Sequence, residues 1–264
     1  MMKSMKSVGL IAAPFTPFRR DRSLNLDVIP AYAQWLHQQG VIGAFICGTT
    51  GEGSSLTIDE RKQVARQWVH AAPDGLRVIV HVGHVCLQDC QELASHAQSI
   101  GADSIACLAP YFFRPLGEQG LVDWCQAVAA SAPELPFYYY HIPCMTGFEI
   151  QVHRFLELAD QQIPTLVGIK FTHDDLEDLK LCLKASDGRF DLLFGRDETL
   201  LSVVRLGVTA AVGSTYNFAA PLYSAMIDAH QSGDSTRAEE LQKVASDMID
   251  WLATCGGTPL AAFK

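Results

Sequence analysis

Short apolar runs, rich in β-branched and aromatic residues, alternate along the chain with longer segments of helical period. The runs are Gly9–Phe15, Ala44–Gly48, Arg77–Gly83, Ser104–Pro110, Pro136–Ile142, Leu166–Thr172, Asp191–Asp197 and Ala210–Thr215. They show no clean period-two alternation, which predicts strands buried on both faces, as in a parallel sheet. The predicted helices are Asp27–Gln39, Ile58–Ala71, Leu87–Ile100, Gly117–Ser131, Ile150–Ala159, Asp174–Ala185, Glu198–Leu206 and Ala219–Gln231. The pattern repeats at about 30 residues, the length of one strand–helix unit. Eight units without a second set of domain signals predict an α/β fold, a (β/α)8 TIM barrel over residues 1–231. A doubly wound sheet would carry fewer strands and often a glycine-rich phosphate loop after the first. Here the first run ends in Pro14-Phe15-Thr16-Pro17, which cannot cradle a pyrophosphate.

Local signals agree with this division. Thr57 and Glu60 have capping-box spacing. Pro73-Asp74-Gly75 is a turn, and Gly40, Gly101 and Gly207 suit left-handed helix stops. Residues 234–254 add another helical stretch, which Cys255-Gly256-Gly257-Thr258-Pro259 should break. Residues 232–264 therefore read as a C-terminal helical extension.

A chain of 264 residues fits one barrel, since such folds run to roughly 200–250 residues as one domain. The composition, 48% hydrophobic and 19% charged, excludes disorder as the main state. A net charge of −9 repels phosphate backbones and anionic lipid, so neither nucleic acid nor membrane is an expected partner. No apolar run reaches the ~18 residues of a membrane span. Lys3 and Lys6 ahead of Val8–Ala13 faintly resemble a signal peptide. Pro14 interrupts that run short of the roughly 7–15 residues a leader needs, and a core strand is the preferred reading. Eight cysteines without a CxxC pair, most in apolar surroundings, are expected as buried, reduced thiols of a cytoplasmic protein. Cys86 and Cys90, four apart on a predicted helix near His81 and His84, do not suffice for a zinc site, and no metal is expected.

In a barrel the chemistry sits at the C-terminal strand ends. Lys170 follows Leu166-Val167-Gly168-Ile169 and so leaves a buried strand. Burial disfavours the ammonium, and a neutral amine can attack a carbonyl to form a Schiff base. A lysine paired with a barrel carboxylate purely for stability is the rival reading. Tyr140, at the mouth of a neighbouring run, tips the balance, because a phenol passes protons to a reacting atom. Two of Tyr138, Tyr139 and Tyr140 are expected to be strand aromatics only. Gly48-Thr49-Thr50-Gly51 offers N–H groups and hydroxyls to a carboxylate, or is only a turn, with Glu52 as a brace. Asp197 and Glu198 either accept hydrogen bonds from sugar hydroxyls or cap the next helix. The run Asp174-Asp175-Leu176-Glu177-Asp178 is expected to be a solvated helix start. His141 is either packed or ligand-facing.

Jointly, three motifs carry a resemblance: Gly48-Thr49-Thr50-Gly51-Glu52-Gly53, Tyr140-His141-Ile142-Pro143 with Thr146-Gly147, and Gly168-Ile169-Lys170-Phe171. In order and at the expected strand ends, they make the chain similar to the class I pyruvate aldolases of the N-acetylneuraminate lyase and dihydrodipicolinate synthase family. The resemblance implies a (β/α)8 barrel with extra C-terminal helices, here shortened, and commonly a homo-tetramer, with a dimer as the smaller assembly. Phe137-Tyr138-Tyr139-Tyr140-His141-Ile142-Pro143 and Gly213-Ser214-Thr215-Tyr216-Asn217 resemble the N-acetylneuraminate lyase branch. Met145 stands where the synthase branch would carry an arginine. Arg196 is a departure, since a neutral residue is expected there.

By this resemblance Lys170 forms the Schiff base and Tyr140 shuttles the proton. Thr49 and Thr50 hold the pyruvyl carboxylate. Thr172, Gly195, Asp197, Glu198 and Ser214 line the sugar-binding part. Tyr111 assists the tyrosine relay, in an oligomer from a neighbouring subunit. The iminium is the electron sink, so no cofactor is implied. The activity implied is reversible cleavage of N-acetylneuraminate to N-acetylmannosamine and pyruvate. The alternatives are another 2-keto-3-deoxy sugar acid as substrate, or a catalytically silent barrel.

Overall fold

The structure, a computed structural model, describes residues 6–255 and 259–264. Eight parallel strands close into a barrel in chain order: β1 Gly9–Ala12, β2 Gly43–Ile46, β3 Arg77–His81, β4 Ser104–Leu108, β5 Phe137–His141, β6 Leu166–Phe171, β7 Asp191–Phe194 and β8 Ala210–Gly213. β8 pairs back onto β1. Every predicted run overlaps a strand, β2 starting one residue ahead of its run at Gly43, and every strand stops before its run does. The remaining residues turn off into the loops of the upper rim, where the candidate side chains lie.

The strands bury both faces, as their lack of alternation requires. Ile11, Phe45, Ile79, Leu108, Tyr138, Tyr140 and Leu193 pack with one another inside the barrel. Ile46, Val80, Tyr139 and Phe171 point outward against Leu36, Trp68, Leu93 and Phe155 of the helical layer. The three consecutive tyrosines thus divide by strand parity. Tyr139 belongs to the outer core, and Tyr138 and Tyr140 to the interior. A register shift places Phe137 opposite Leu166 but Tyr138 opposite Gly168. It puts Lys170 level with Tyr140 on one side and Leu193 on the other. Gly168 cannot carry a side chain, because a Cβ there would stand 1.9 Å from the Asp191 carbonyl oxygen.

The helices are α1 Ile29–Gln38, α2 Ile58–Ala71, α3 Leu87–Ser99, α4 Gly117–Ala129, α5 Pro143–Thr146, α6 Val152–Gln162, α7 Leu176–Cys182, α8 Ala185–Gly188, α9 Leu200–Val204, α10 Tyr216–Gln231, α11 Ser235–Thr254 and α12 Pro259–Phe263. The capping box at α2 is complete: Thr57 Oγ1 accepts from Glu60 N, and Glu60 Oε2 accepts from Thr57 N. Gly40, Gly101 and Gly207 are left-handed, as expected. The break foreseen after Cys255 falls at residues 256–258, outside the described residues, as does Lys3.

Several expectations need correction. α10 begins at Tyr216 instead of Ala219, with non-helical geometry at Ala219 just before Pro221. Proline is compatible with such an early turn but not with an unbroken ladder. Cys86 is extended and lies outside α3, so it does not share a helical face with Cys90. The acidic run before α7 is not uniformly solvated. Asp175 caps α7 through Glu177 N and Asp178 N. Asp178 is buried and accepts from Val152 N at 2.7 Å and from the His153 backbone, fixing the start of α6.

A buried carboxylate closes the lower end of the barrel. Asp191 accepts from Ser7 N, Ser7 Oγ and Tyr138 Oη at 3.0, 2.5 and 2.9 Å. Arg77 Nη2 donates to the same serine hydroxyl. Asp191→Ala should leave these donors unpaired and cost roughly 3–5 kcal/mol in urea unfolding. The lower end of a barrel carries stability and the strand tops carry chemistry, so the Lys170 site at the upper rim should be unperturbed in the folded fraction.

Candidate active site

Lys170 projects into the barrel interior near its upper end and is 4% exposed. Its Nζ stands 4.0 Å from the centre of the Phe45 ring and 4.2 Å from that of Tyr140. The two rings meet edge to face, 5.4 Å apart. This apolar cage strips water from the amine. Desolvation brings its pKa down to about 7, with the Asp197 carboxylate opposing the shift. Near neutral pH a large fraction of Lys170 is therefore an unprotonated nucleophile.

The turn after β2 approaches the same point. Thr49 Oγ1 lies 3.3 Å from the Tyr140 hydroxyl. Thr50 Oγ1 shares a 2.7 Å hydrogen bond with Ser214 Oγ, past β8. No hydrogen bond within the described residues engages the backbone N–H of Thr49 or Thr50. Cys47 and Glu52, flanking the turn, are both left-handed at φ 56°. Such geometry in non-glycine residues costs about 1–3 kcal/mol each and persists only where neighbours impose it. Here Thr16 Oγ1 holds the Gly51 carbonyl, and Gly53 is confined because a Cβ would meet the Cys47 carbonyl oxygen at 1.9 Å. Glu52 bonds Lys264 and does not face Lys170's cage. Burial pushes the Tyr140 phenol up to about 12, opposed by the Thr49 and Thr172 hydroxyls. The Tyr140 phenol is thus protonated at rest.

Asp197 and Glu198, adjacent in sequence, have separate fates. Asp197 is buried and accepts from Thr215 N at 2.9 Å and Thr215 Oγ1 at 2.6 Å. Its Oδ1 has no hydrogen-bond partner among the described residues, and desolvation raises its pKa. It caps no helix of its own; it is the counter-charge of Lys170. Glu198 opens onto a cleft of about 630 Å³ that runs outward along the rim. Thr172, His173, Asp174, Gly195 and Arg196 share that cleft. Gly195 is required beside Thr172, whose Oγ1 lies 1.9 Å from where a Cβ would be.

The structure brings Lys170, Tyr140, Thr49, Thr50 and Ser214 together around one cage, with Asp197 beside it. Thr172, Gly195 and Glu198 line the adjoining cleft. Tyr111 is half-buried against the interior cluster, without a hydrogen bond to Tyr140 among the described residues. His141 is packed: it is fully buried among Tyr139, Phe171 and His173, and burial drops its pKa to about 3. Residues missed in the sequence include Phe45, whose period-two position on its run is its only signal. His81 was also missed as a neighbour of Tyr140. It stands edge to face at 5.7 Å, anchored to the Cys47 carbonyl at 3.0 Å, and burial keeps it neutral. Gln242 and Ser246 of α11 bond the Glu198 carbonyl, a link that no local motif announces. No group of three or more acidic, histidine or cysteine side chains suited to a metal occurs among the described residues.

The electrostatics give a signed expectation. Asp197→Asn removes the charge that favours the Lys170 ammonium while keeping an acceptor for Thr215. The pH midpoint for borohydride trapping of pyruvate should lie near 7 in the parent. It should move to lower pH in the variant; an upward move would refute the assigned role of Asp197.

Comparison with known proteins agrees with this geometry. Residues 6–261 match the model of the dihydrodipicolinate synthetase family. Human N-acetylneuraminate lyase is 43% identical over 254 residues, covering 95% of this chain and 79% of that one. The structure of N-acetylneuraminate lyase (sialic acid aldolase) from Aliivibrio salmonicida is 40% identical with a TM-score of 0.94, covering 96% and 84%. A catalytic lysine mutant of the Ruminococcus gnavus sialic acid aldolase is 25% identical with a TM-score of 0.92, covering 98% and 86%. By sequence and by fold, the chain belongs to the dihydrodipicolinate synthetase family.

Proposed function

We infer that this chain is a class I aldolase that reversibly cleaves N-acetylneuraminate to N-acetylmannosamine and pyruvate. The observation that carries the reading is a desolvated lysine caged by Phe45 and Tyr140, level with that tyrosine, near a turn whose Thr49 and Thr50 N–H groups are unengaged among the described residues. The 40–43% identity to N-acetylneuraminate lyases supports the choice of substrate. Met145 supports it too. It is exposed at the rim and carries no charge for a second substrate's carboxylate.

The substrate carboxylate docks on the N–H groups and hydroxyls of Thr49 and Thr50. Lys170 Nζ adds to the keto carbon, and loss of water leaves an iminium. Tyr140 relays the proton from the C4 hydroxyl as the C3–C4 bond breaks. The bonding electrons pass to the iminium nitrogen, giving an enamine and releasing the sugar aldehyde. Protonation of the enamine carbon and hydrolysis free pyruvate and restore the amine. Asp197 balances the charge that Lys170 acquires on the way. Thr172, Gly195, Glu198 and Ser214 form the wall against which the sugar end lies. Tyr111 supports the Tyr140 end.

The setting we propose is cytoplasmic. All eight cysteines are free, as suits a reducing compartment, and no helix among the described residues is long and apolar enough to cross a membrane. We propose a homo-oligomer as well. Phe112, Phe113, Leu116 and Met145 are 61–95% exposed near the rim, an apolar surface of the kind subunit contacts cover. We place the barrel at residues 1–231 and the C-terminal extension at 232–264.

Lys170→Ala should abolish pyruvate release from N-acetylneuraminate and leave the circular dichroism unchanged. Tyr140→Phe should lower kcat by about 10²–10⁴-fold, as removal of a proton relay does, while pyruvate is still trapped on Lys170 by borohydride. Turnover in Lys170→Ala would overturn the reading.

A further inference from the structure

Arg196 follows β7 between Gly195 and Asp197, and its guanidinium faces the cleft. Nε and Nη2 donate to Glu198 Oε1 at 2.9 and 2.7 Å, and Nη1 pairs with Asp174 Oδ1. The two carboxylates stand on different rim loops, after β7 and after β6. Arg196 therefore ties the loops together across the cleft. Its side chain is 30% exposed, and the ion pairs raise its pKa against a partial loss of solvent. Glu198 is held from behind as well: Ser246 Oγ and Gln242 Nε2 donate to its carbonyl oxygen at 3.0 and 3.1 Å. Backbone and carboxylate are thus fixed independently.

We propose that Arg196 is a positioning residue that sets the Glu198 carboxylate to receive the hydroxyl-rich end of a sugar acid. The fork geometry is what the role needs. Arginine presents several N–H groups in one plane and fixes the orientation of a carboxylate, whereas lysine supplies only a point charge. Each of its three nitrogens already meets a carboxylate, Glu198 or Asp174, so Arg196 is largely neutralised as an anchor for the substrate's own carboxylate. Glu149, Asp174 and Glu198 outnumber Arg196 at this end of the cleft. A substrate carboxylate is repelled there and directed to Thr49 and Thr50, which leaves the uncharged hydroxyls for Glu198. Removing Arg196 would free the Glu198 side chain and add repulsion against an anionic substrate.

The inference rests on the aldolase reading, and the experiment separates the two. The parent, Arg196→Leu and Arg196→Lys are compared by steady-state cleavage of N-acetylneuraminate. In parallel, the pyruvate concentration for half-maximal borohydride trapping is measured. Pyruvate lacks the hydroxyl-bearing part that Glu198 would receive. Arg196→Leu should raise KM for N-acetylneuraminate by about 5–30-fold, as loss of a held charged hydrogen-bond acceptor does. It should leave kcat within about twofold and the pyruvate half-saturation unchanged. Arg196→Lys should recover only part of the loss. An unchanged KM in Arg196→Leu would overturn the inference. So would a parallel loss of pyruvate trapping, which marks general disturbance of the rim. If the parent traps pyruvate but does not cleave N-acetylneuraminate, the substrate reading fails, and this inference with it.

Discussion

Everything at the rim depends on keeping one amine dry. Lysine in water is almost wholly protonated at neutral pH, and an ammonium is no nucleophile. The chain solves this by placing Lys170 inside a barrel, between two aromatic faces, with the Asp197 carboxylate that acts on it held by Thr215. The rings attract a cation weakly, and Asp197 attracts it more strongly, yet desolvation outweighs both and the pKa falls to about 7. A balance of this kind suits a group that must be neutral to attack and charged as the iminium forms. In the proposed reaction, the carboxylate that opposes deprotonation at rest would also stabilise the positive nitrogen.

The barrel divides its labour along its axis. At the lower end Asp191 gathers Ser7, Tyr138 and Arg77 into a satisfied network whose effect is mechanical. At the upper end, Asp197 Oδ1 and His81 Nε2 find no hydrogen-bond partner among the described residues. A buried polar atom without a partner costs stability, and two such atoms near Lys170 are the kind a bound ligand would satisfy. The left-handed residues Cys47 and Glu52 sit in the same region. Strain and unmet hydrogen bonds thus coincide with the turn that exposes the Thr49 and Thr50 N–H groups.

Much of this was legible in the residues. A doubly buried strand has to be a continuous apolar run, so each run could be counted as a strand. A lysine or tyrosine within such a run stands out because its polar atom needs a purpose. The strand ends were less legible. Nothing local says that Ala12 is the last ladder residue and Pro14 is loop. Phe45 was hidden for the opposite reason, as one apolar residue among others. Asp197 and Glu198 look equivalent in sequence and part only because Thr215 lies behind one and Arg196 beside the other. Those contacts span loops and join residues up to 48 positions apart, as from Ser246 to Glu198. The register shift at Gly168, which levels Lys170 with Tyr140, is likewise a property of two strands together.

The central claim is that desolvation leaves a large fraction of Lys170 unprotonated near neutrality, before any ligand arrives. Nitrogen NMR titration of the lysine side chains in the ligand-free protein, with Lys170→Arg to assign the resonance, reads this directly. The account predicts a midpoint of about 7 for Lys170. A midpoint near the ordinary lysine value of about 10.4 would contradict it.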